Sequence, residues 1–421
     1  MRRVFFVLLM ALLAMSVFAE AVVEEEVSEI TILTGYTYGE NLEFTYAVDR
    51  FHEDYPDVAV VTLPLDLSTG AAMSMDALSR AGTPPNVYHD YTGRISKYLL
   101  PGYAFPLDDV VRDLDQYNPG VLDPFRKDGA LLGIPDPSQC NGMAINLDIM
   151  AEIGYTVEPD WTVDDFLEMC ELVKQFYGGE KFGTFMYAAT QSGDYMINTW
   201  WGAFGAEMYA SGDYTRTTIR ETGGAEVYEF YQLLMSNGYI HPGAATLKDG
   251  ESFAAFGCGK FAAVPFFPSW VVIYRDVGTQ AGFDEFPIVF MPFPSATGVP
   301  VPAYATGSSS MVVQTGTAAD VVAARLVEYI GSSGAQDIRT VLSGIPPNRQ
   351  DTTVVSDDPY YAQTGAIAAT NGLQDVGLTG PLFAAVRAQH YPILQKVLDF
   401  DLTPEEAILE YETRVNEVLA E

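Results

Sequence analysis

The chain has 421 residues, with 56 acidic and 22 basic side chains and a formal net charge of −34 at pH 7. That balance repels nucleic acid and anionic lipid and favours a neutral ligand over a polyanion. Hydrophobic residues make up 48% and aromatics 13%, enough for a packed core, and the length exceeds the ~250–300 residues at which one core stops growing, so at least two lobes are expected.

Arg2 and Arg3 precede an apolar run, Val4–Met15, which is shorter than the ~20 residues of a membrane span. Val17-Phe18-Ala19 supplies a cleavage site, so residues 1–19 read as a signal peptide and Glu20 as the first mature residue. No Cys lies near the junction, which points to a periplasmic protein and not a lipoprotein. Glu24-Glu25-Glu26 reads as a mobile terminus.

Glu29–Leu33 is β-rich and opens into a Gly35–Gly39 loop. Phe44, Ala47, Val48, Phe51 and Tyr55 share one helical face, and Pro56 ends that helix. Val58–Leu63 reads as a buried strand, Ala71–Arg80 as a helix stopped by Gly82, and Asn86–His89 as a third strand. This alternation predicts parallel α/β layers. Ligands in such sheets sit at the carboxyl ends of strands. The loops Tyr36–Asn41 and Asp90–Arg94 are therefore site candidates, with Tyr36, Tyr38, Glu40, Asn41, Asp90 and Tyr91 as the residues of interest.

Asp128-Gly129 is a turn dipeptide, and Leu131–Ile134 a short strand stopped by Pro135 and Pro137. Met143–Ile145 starts another strand. Asn146 caps a helix over Leu147–Ile153 that Gly154 ends. Thr162, with Asp165 three residues on, caps a longer helix carrying Val163, Phe166, Leu167, Cys170, Val173 and Tyr177. Later come Met196–Phe204 with Trp200-Trp201, an amphipathic Ala225–Ser236, an apolar Phe253–Val264 and then Pro265-Phe266-Phe267-Pro268-Ser269-Trp270. Val321, Val322, Ala324, Leu326, Val327 and Ile330 are the apolar residues of a later helix, and Thr403-Pro404-Glu405-Glu406-Ala407 opens the final one.

This order of motifs resembles the sugar-binding class of extracellular solute-binding proteins, the maltose-binding-protein-like receptors of ABC importers. The resemblance rests on the Asp128-Gly129 turn, the Gly133-Ile134-Pro135 strand, Ile145-Asn146, Trp161-Thr162, the Gly259-Lys260 segment before Trp270 and the late Gly344-Ile345-Pro346-Pro347, which matches the family's crossover; it also implies a strand over Pro287–Pro294 and a turn over Ala305–Ser310. Ile145 replaces the family's usual Tyr, the Thr-Trp order is inverted, and Pro268-Ser269 stands where Gly is commoner. The resemblance implies an α/β, two-lobed periplasmic-binding-protein fold of type II, with a hinge and an interlobe ligand cleft. It places residues 28–135 plus 296–344 in one lobe and 137–293 plus 347–421 in the other. It also implies a monomeric receptor, not an enzyme, that hands a sugar or oligosaccharide to the membrane permease of an ABC transporter.

A sugar offers apolar C–H faces and a rim of hydroxyls, so its site needs aromatics beside paired polar groups. By resemblance, Trp270 is a stacking residue, Phe383 and Arg387 lie on a late helix facing the cleft, and Gln139 stands where a carboxylate is common. Trp200 and Trp201 are a further aromatic pair, equally suited to a ligand platform or to the core. Cys140, Cys170 and Cys258 include no Cys-x-x-Cys, and the four histidines no His-x-x-x-His, so neither a metal nor a cofactor is expected. Two alternatives stay open: a secreted glycoside hydrolase, which needs two carboxylates ~5–9.5 Å apart, and a receptor for a peptide or a metal.

Overall fold

The computed structural model describes residues 27–65, 75–190, 194–210 and 213–420. The expected leader, Glu24–Glu26 and the start of the Ala71–Arg80 helix lie outside the described residues. Chain order begins β1 (Glu29–Thr34), α1 (Leu42–Asp54), β2 (Ala59–Pro64), α2 (Met75–Arg80), β3 (Val87–Tyr91) and α3 (Thr92–Ile95). Then come β4 (Arg126–Lys127), β5 (Ala130–Leu131), β6 (Ile134–Pro135), β7 (Gln139–Cys140), β8 (Gly142–Asn146), α4 (Leu147–Ile153), α5 (Val163–Tyr177), α6 (Asp194–Ala203), α7 (Gly224–Ser236) and α8 (Asp249–Gly257). β9 (Ala263–Phe266), α9 (Pro268–Gln280), β10 (Ile288–Met291), β11 (Ala305–Thr306) and β12 (Ser308–Val312) follow. The chain finishes with α10 (Ala319–Ile330), α11 (Ser333–Ser343), α12 (Pro359–Asn371), α13 (Phe383–Arg387), α14 (His390–Leu398) and α15 (Pro404–Leu419).

Local chemistry sets several of these boundaries. Asn146 accepts from the N–H groups of Asp148 and Ile149, and Gly154 ends α4 at φ +69°, a left-handed conformation that costs glycine little. Thr162 and Asp165 close a reciprocal capping box on α5, and Thr403 with Glu406 closes another on α15. α1 buries Phe44, Ala47, Val48 and Phe51 as one stripe.

One sheet has the order β2-β1-β3-β12-β6. β1 pairs in parallel with β2 and β3, while β12 runs antiparallel to both β3 and β6. A second sheet, β10-β8-β9, is antiparallel throughout. Between them, β7 and β11 form a two-stranded antiparallel ribbon, Cys140 opposite Ala305 and Gln139 opposite Thr306.

The apolar side chains divide into two cores. One gathers Ile30, Ile32, Phe44, Phe51, Val87, Ile134, Met311, Leu326 and their neighbours on the five-stranded sheet. The larger gathers Met143, Phe166, Trp200, Tyr231, Phe266, Phe290, Leu394, Tyr411 and others on the three-stranded sheet. The chain changes core at places that differ from the sequence expectation. Val301 and Tyr304 pack in the larger core, so the second change falls at β11 and not near residue 296. The third falls after residue 354. Asn348 bonds Gln336 and the Pro135 carbonyl, Gln350 N–H reaches the Gln116 carbonyl, and Asp337 accepts from Thr353 and Val354. These bonds keep the segment on the five-stranded side past the Pro346-Pro347 pair.

One other expectation changes. Ala305–Ser310 is not a turn but the whole of β11 and the start of β12. Pairing on both edges satisfies the β12 backbone and overrides the weak strand preference of serine. The apolar Phe253–Val264 stretch holds the end of α8 and the start of β9, with Gly259 at φ +66° between them.

Candidate functional site

The β7–β11 ribbon brings side chains of both cores together. Gln139 Nε2 donates to Ser269 Oγ at 2.7 Å, and the Ser269 N–H donates to Gln139 Oε1 at 3.2 Å. The start of α9, which carries Trp270, is thereby fixed to the ribbon. Asn141, next on the chain, donates to Thr199 Oγ1 at 2.9 Å and accepts from the Tyr304 N–H at 2.8 Å.

From there a run of rings spans the junction. The Tyr91 and Tyr304 hydroxyls lie 2.6 Å apart. Tyr304 stands 6.4 Å from Phe267, and Phe267 stands 4.9 Å from Trp270. Trp270 also touches Tyr195 at 5.0 Å and Phe253 at 5.1 Å. Tyr304, Phe267 and Tyr195 are buried; Tyr91 and Trp270 are half-buried and keep ring surface exposed. Tyr304 and Ser269 were not singled out from the sequence. The Pro268-Ser269-Trp270 departure was the available signal for Ser269; nothing local marked Tyr304.

The loop after β1 divides. Tyr36 is half-buried, 4.6 Å from the His89 ring, and its hydroxyl accepts from Arg339 Nη2 at 2.6 Å. Burial pushes its phenol well above the ordinary range, although Arg339 opposes the shift. Tyr38 is exposed and donates to Asp49 at 2.7 Å, and Glu40 is exposed. Asn41 accepts from the Thr37 N–H at 2.7 Å and makes no side-chain cap to α1. Asp90 is buried and accepts from the Tyr88 hydroxyl at 2.8 Å, the Tyr91 N–H at 2.7 Å and Arg94 at 3.3 Å.

Trp200 and Trp201 belong to the core and offer no platform to a ligand. They are 0% and 1% exposed. Trp200 lies 4.9 Å from Phe166 and 4.8 Å from Phe230; Trp201 lies 4.6 Å from His390 and 5.1 Å from Tyr411. α6 is wrapped on every side, so two adjacent residues, on different faces of the helix, are both buried.

Phe383 and Arg387 do reach the junction. Phe383 is 5% exposed and lies 6.2 Å from Tyr91. The Arg387 guanidinium sits 5.4 Å above the Tyr91 ring, a cation–π distance.

A buried polar chain lies behind Tyr36. Thr34 Oγ1 is 2.9 Å from His89 Nδ1, His89 Nε2 is 3.0 Å from Asp136 Oδ2, and Arg339 Nη1 donates to the same oxygen at 2.8 Å. Burial alone would raise the Asp136 carboxyl, but Arg339 and then His89 outweigh it and hold it well below the usual carboxylate range. Among the described residues, no group of three or more His, Cys, Asp or Glu side chains is arranged to hold a metal ion. No helix among them is long and apolar enough to cross a membrane.

Two α/β units joined by crossing strands, with side chains of both meeting at the joint, define a type II periplasmic-binding-protein fold. The chain belongs to the bacterial extracellular solute-binding protein family, whose model matches residues 46–369. An uncharacterized ABC transporter extracellular-binding protein of Pyrococcus horikoshii is 22% identical over 349 residues, 80% of this chain and 74% of that one. The GacH receptor of Streptomyces glaucescens, solved unliganded and with acarbose, superposes with a TM-score of 0.76 at 16% identity, covering 94% of this chain and 100% of that one. Maltose-bound MalE3 of T. maritima gives 0.72 at 17% identity, covering 92% and 98%. The likeness to both solved structures is one of fold.

Proposed function

We propose that this chain is a periplasmic receptor that captures a neutral sugar or oligosaccharide and delivers it to the membrane permease of an ABC importer. It works as a monomer and without catalysis. Residues 1–19 direct export and are removed. Two lobes, about 28–135 with 305–354 and about 137–304 with 358–421, close on the ligand by hinge motion about the β7–β11 ribbon.

The observation that carries this reading is the ring run across the junction, with half-buried Tyr91 at one end and half-buried Trp270 at the other. Half-buried rings flanked by Gln139 and Asp90 suit the C–H faces and hydroxyls of a sugar. The fold neighbours that bind acarbose and maltose support the same ligand class. Tyr91 and Trp270 stack; Gln139, Asp90 and Arg387 meet hydroxyls; Tyr36, Tyr38, Glu40 and Asn41 form the outer edge.

Titrating mono- and oligosaccharides while following tryptophan fluorescence tests this reading. A saturable change for at least one sugar, lost in Trp270→Phe, supports it. Saturable binding of peptides alone contradicts it.

A further inference from the structure

We infer that α8 positions the Trp270 ring: Phe253 backs the ring, and a backbone contact between Gly257 of α8 and Gly278 of α9 sets how closely the two helices lie. This inference rests on the reading of Trp270 as a stacking residue. Phe253, Trp270 and Tyr274 all belong to the larger core, so a hinge motion between lobes leaves the arrangement intact.

Helical spacing builds the contact. Trp270, Tyr274 and Gly278 follow one another along one face of α9, and Phe253 and Gly257 do the same on α8. The Phe253 ring lies 5.1 Å from Trp270 and 5.0 Å from Tyr274. One turn further on, the helices touch through their backbones. A Cβ on Gly257 would overlap the Tyr274 carbonyl, 2.7 Å from its carbon. A Cβ on Gly278 would overlap the Gly257 carbonyl and lie 3.2 Å from the Cys258 nitrogen. Neither glycine has a left-handed φ, and glycine inside a helix is disfavoured against alanine. The close approach of the two backbones is what requires it.

The consequence is functional. A stacking ring works through contacts that lose about a quarter to a half of their strength when a gap of about 0.5–1 Å opens. The ring must therefore be held by packing as well as presented. Gln139 ties down the start of α9 through Ser269, and the α8 contact fixes the same helix along its length. A methyl group at position 278 pushes α9 off α8, lifts the Trp270 ring from Phe253 and weakens stacking on the ligand. Phe253, Gly257 and Gly278 are thus positioning residues that act through Trp270.

Acrylamide quenching of tryptophan fluorescence in the ligand-free protein tests this. Trp161, Trp200 and Trp201 are 3%, 0% and 1% exposed, while Trp270 is half-buried, so the quencher reports on Trp270. Gly278→Ala should raise the quenching constant. Phe253→Leu, which leaves the helix contact in place, should raise it too, and Thr279→Ala, on the exposed side of α9, should not. Gly278→Ala should also weaken sugar binding about tenfold, the lower end of the loss expected from truncating Trp270. Added to Trp270→Ala, it should weaken binding no further. Unchanged quenching in a folded Gly278→Ala overturns the inference, as does an equal rise in Thr279→Ala or an additive loss of affinity in the double variant. If Gly278→Ala does not fold, unchanged quenching in Phe253→Leu overturns it. Raised quenching in variants of a protein that binds no sugar contradicts the receptor reading alone. Sugar binding by the wild type, with quenching unmoved by either substitution, contradicts the positioning alone.

Discussion

Arg339 Nη1 and Asp136 Oδ2 form a buried ion pair, 2.8 Å apart, where the chain leaves β6 for the ribbon. Asp136 is fixed a second way, through its own N–H to the Ser308 carbonyl at 2.9 Å. The pair ties α11, the loop carrying Tyr36 and the first crossover into one unit. Arg339→Met leaves the carboxylate buried beside His89 alone. The expected loss is ~3–5 kcal/mol, the usual result of stripping one partner from a buried pair. Chemical denaturation of the variant checks it; a loss under ~1 kcal/mol, typical of exposed pairs, would show the pair to be solvent-screened.

Trp200 and Trp270 should separate stability from affinity. Trp200→Ala removes a fully buried ring and should cost ~3–5 kcal/mol of folding free energy, with sugar affinity unchanged in the folded fraction. Trp270→Ala should weaken sugar binding by ~1–3 kcal/mol, roughly ten- to a hundredfold. Denaturation and calorimetric titration of both variants give the two quantities. Unchanged affinity in Trp270→Ala would remove this ring from the site.

The contrast between these two tryptophans shows what the sequence made legible. Capping chemistry is local, so Asn146, Gly154 and the Thr162–Asp165 box could be read directly and were found in place. Helical spacing marked Phe44, Ala47, Val48 and Phe51 as one face, and they are buried. Strand pairing is non-local, so serine-rich β12 looked like a turn. Burial on all sides cannot be told from a pair of tryptophans, because it depends on α7, α14 and α15, which arrive later in the chain. Tyr304 and Ser269 reach the junction only through partners far off in sequence, Tyr91 and Gln139.

Acid should destabilise the protein before most carboxylates titrate. His390 is buried among Trp201, Tyr411 and Tyr228, and burial lowers its pKa from 6.5 to about 3. The folded state excludes a proton that the unfolded state accepts below pH 6.5. Stability from this residue is complete above pH 6.5 and falls by ~1.4 kcal/mol per pH unit on the way to about pH 3. His390→Phe should flatten that slope by one proton between pH 6 and 4, as read from denaturation midpoints. An unchanged slope would show that His390 is protonated in the fold.

The acidic surface should make the fold sensitive to salt. At a net charge of −34 the compact state repels itself, and salt screens that repulsion. Raising NaCl from ~0.01 to ~0.15 M shortens the Debye length from ~30 to ~8 Å, so the melting temperature should rise. A flat or falling melting temperature over that range would show that local ion pairs, such as Lys396 with Glu410, outweigh the repulsion.

The central claim is that the junction between the lobes captures a neutral carbohydrate. A thermal-shift screen of the mature protein against mono- and oligosaccharides, with peptides and divalent metals alongside, tests it most directly. At 100 times its dissociation constant the true ligand adds ~2.7 kcal/mol of stability. The account predicts such a shift for at least one sugar and none for the peptides or metals; a shift with a peptide or a metal, and with no sugar, would contradict it.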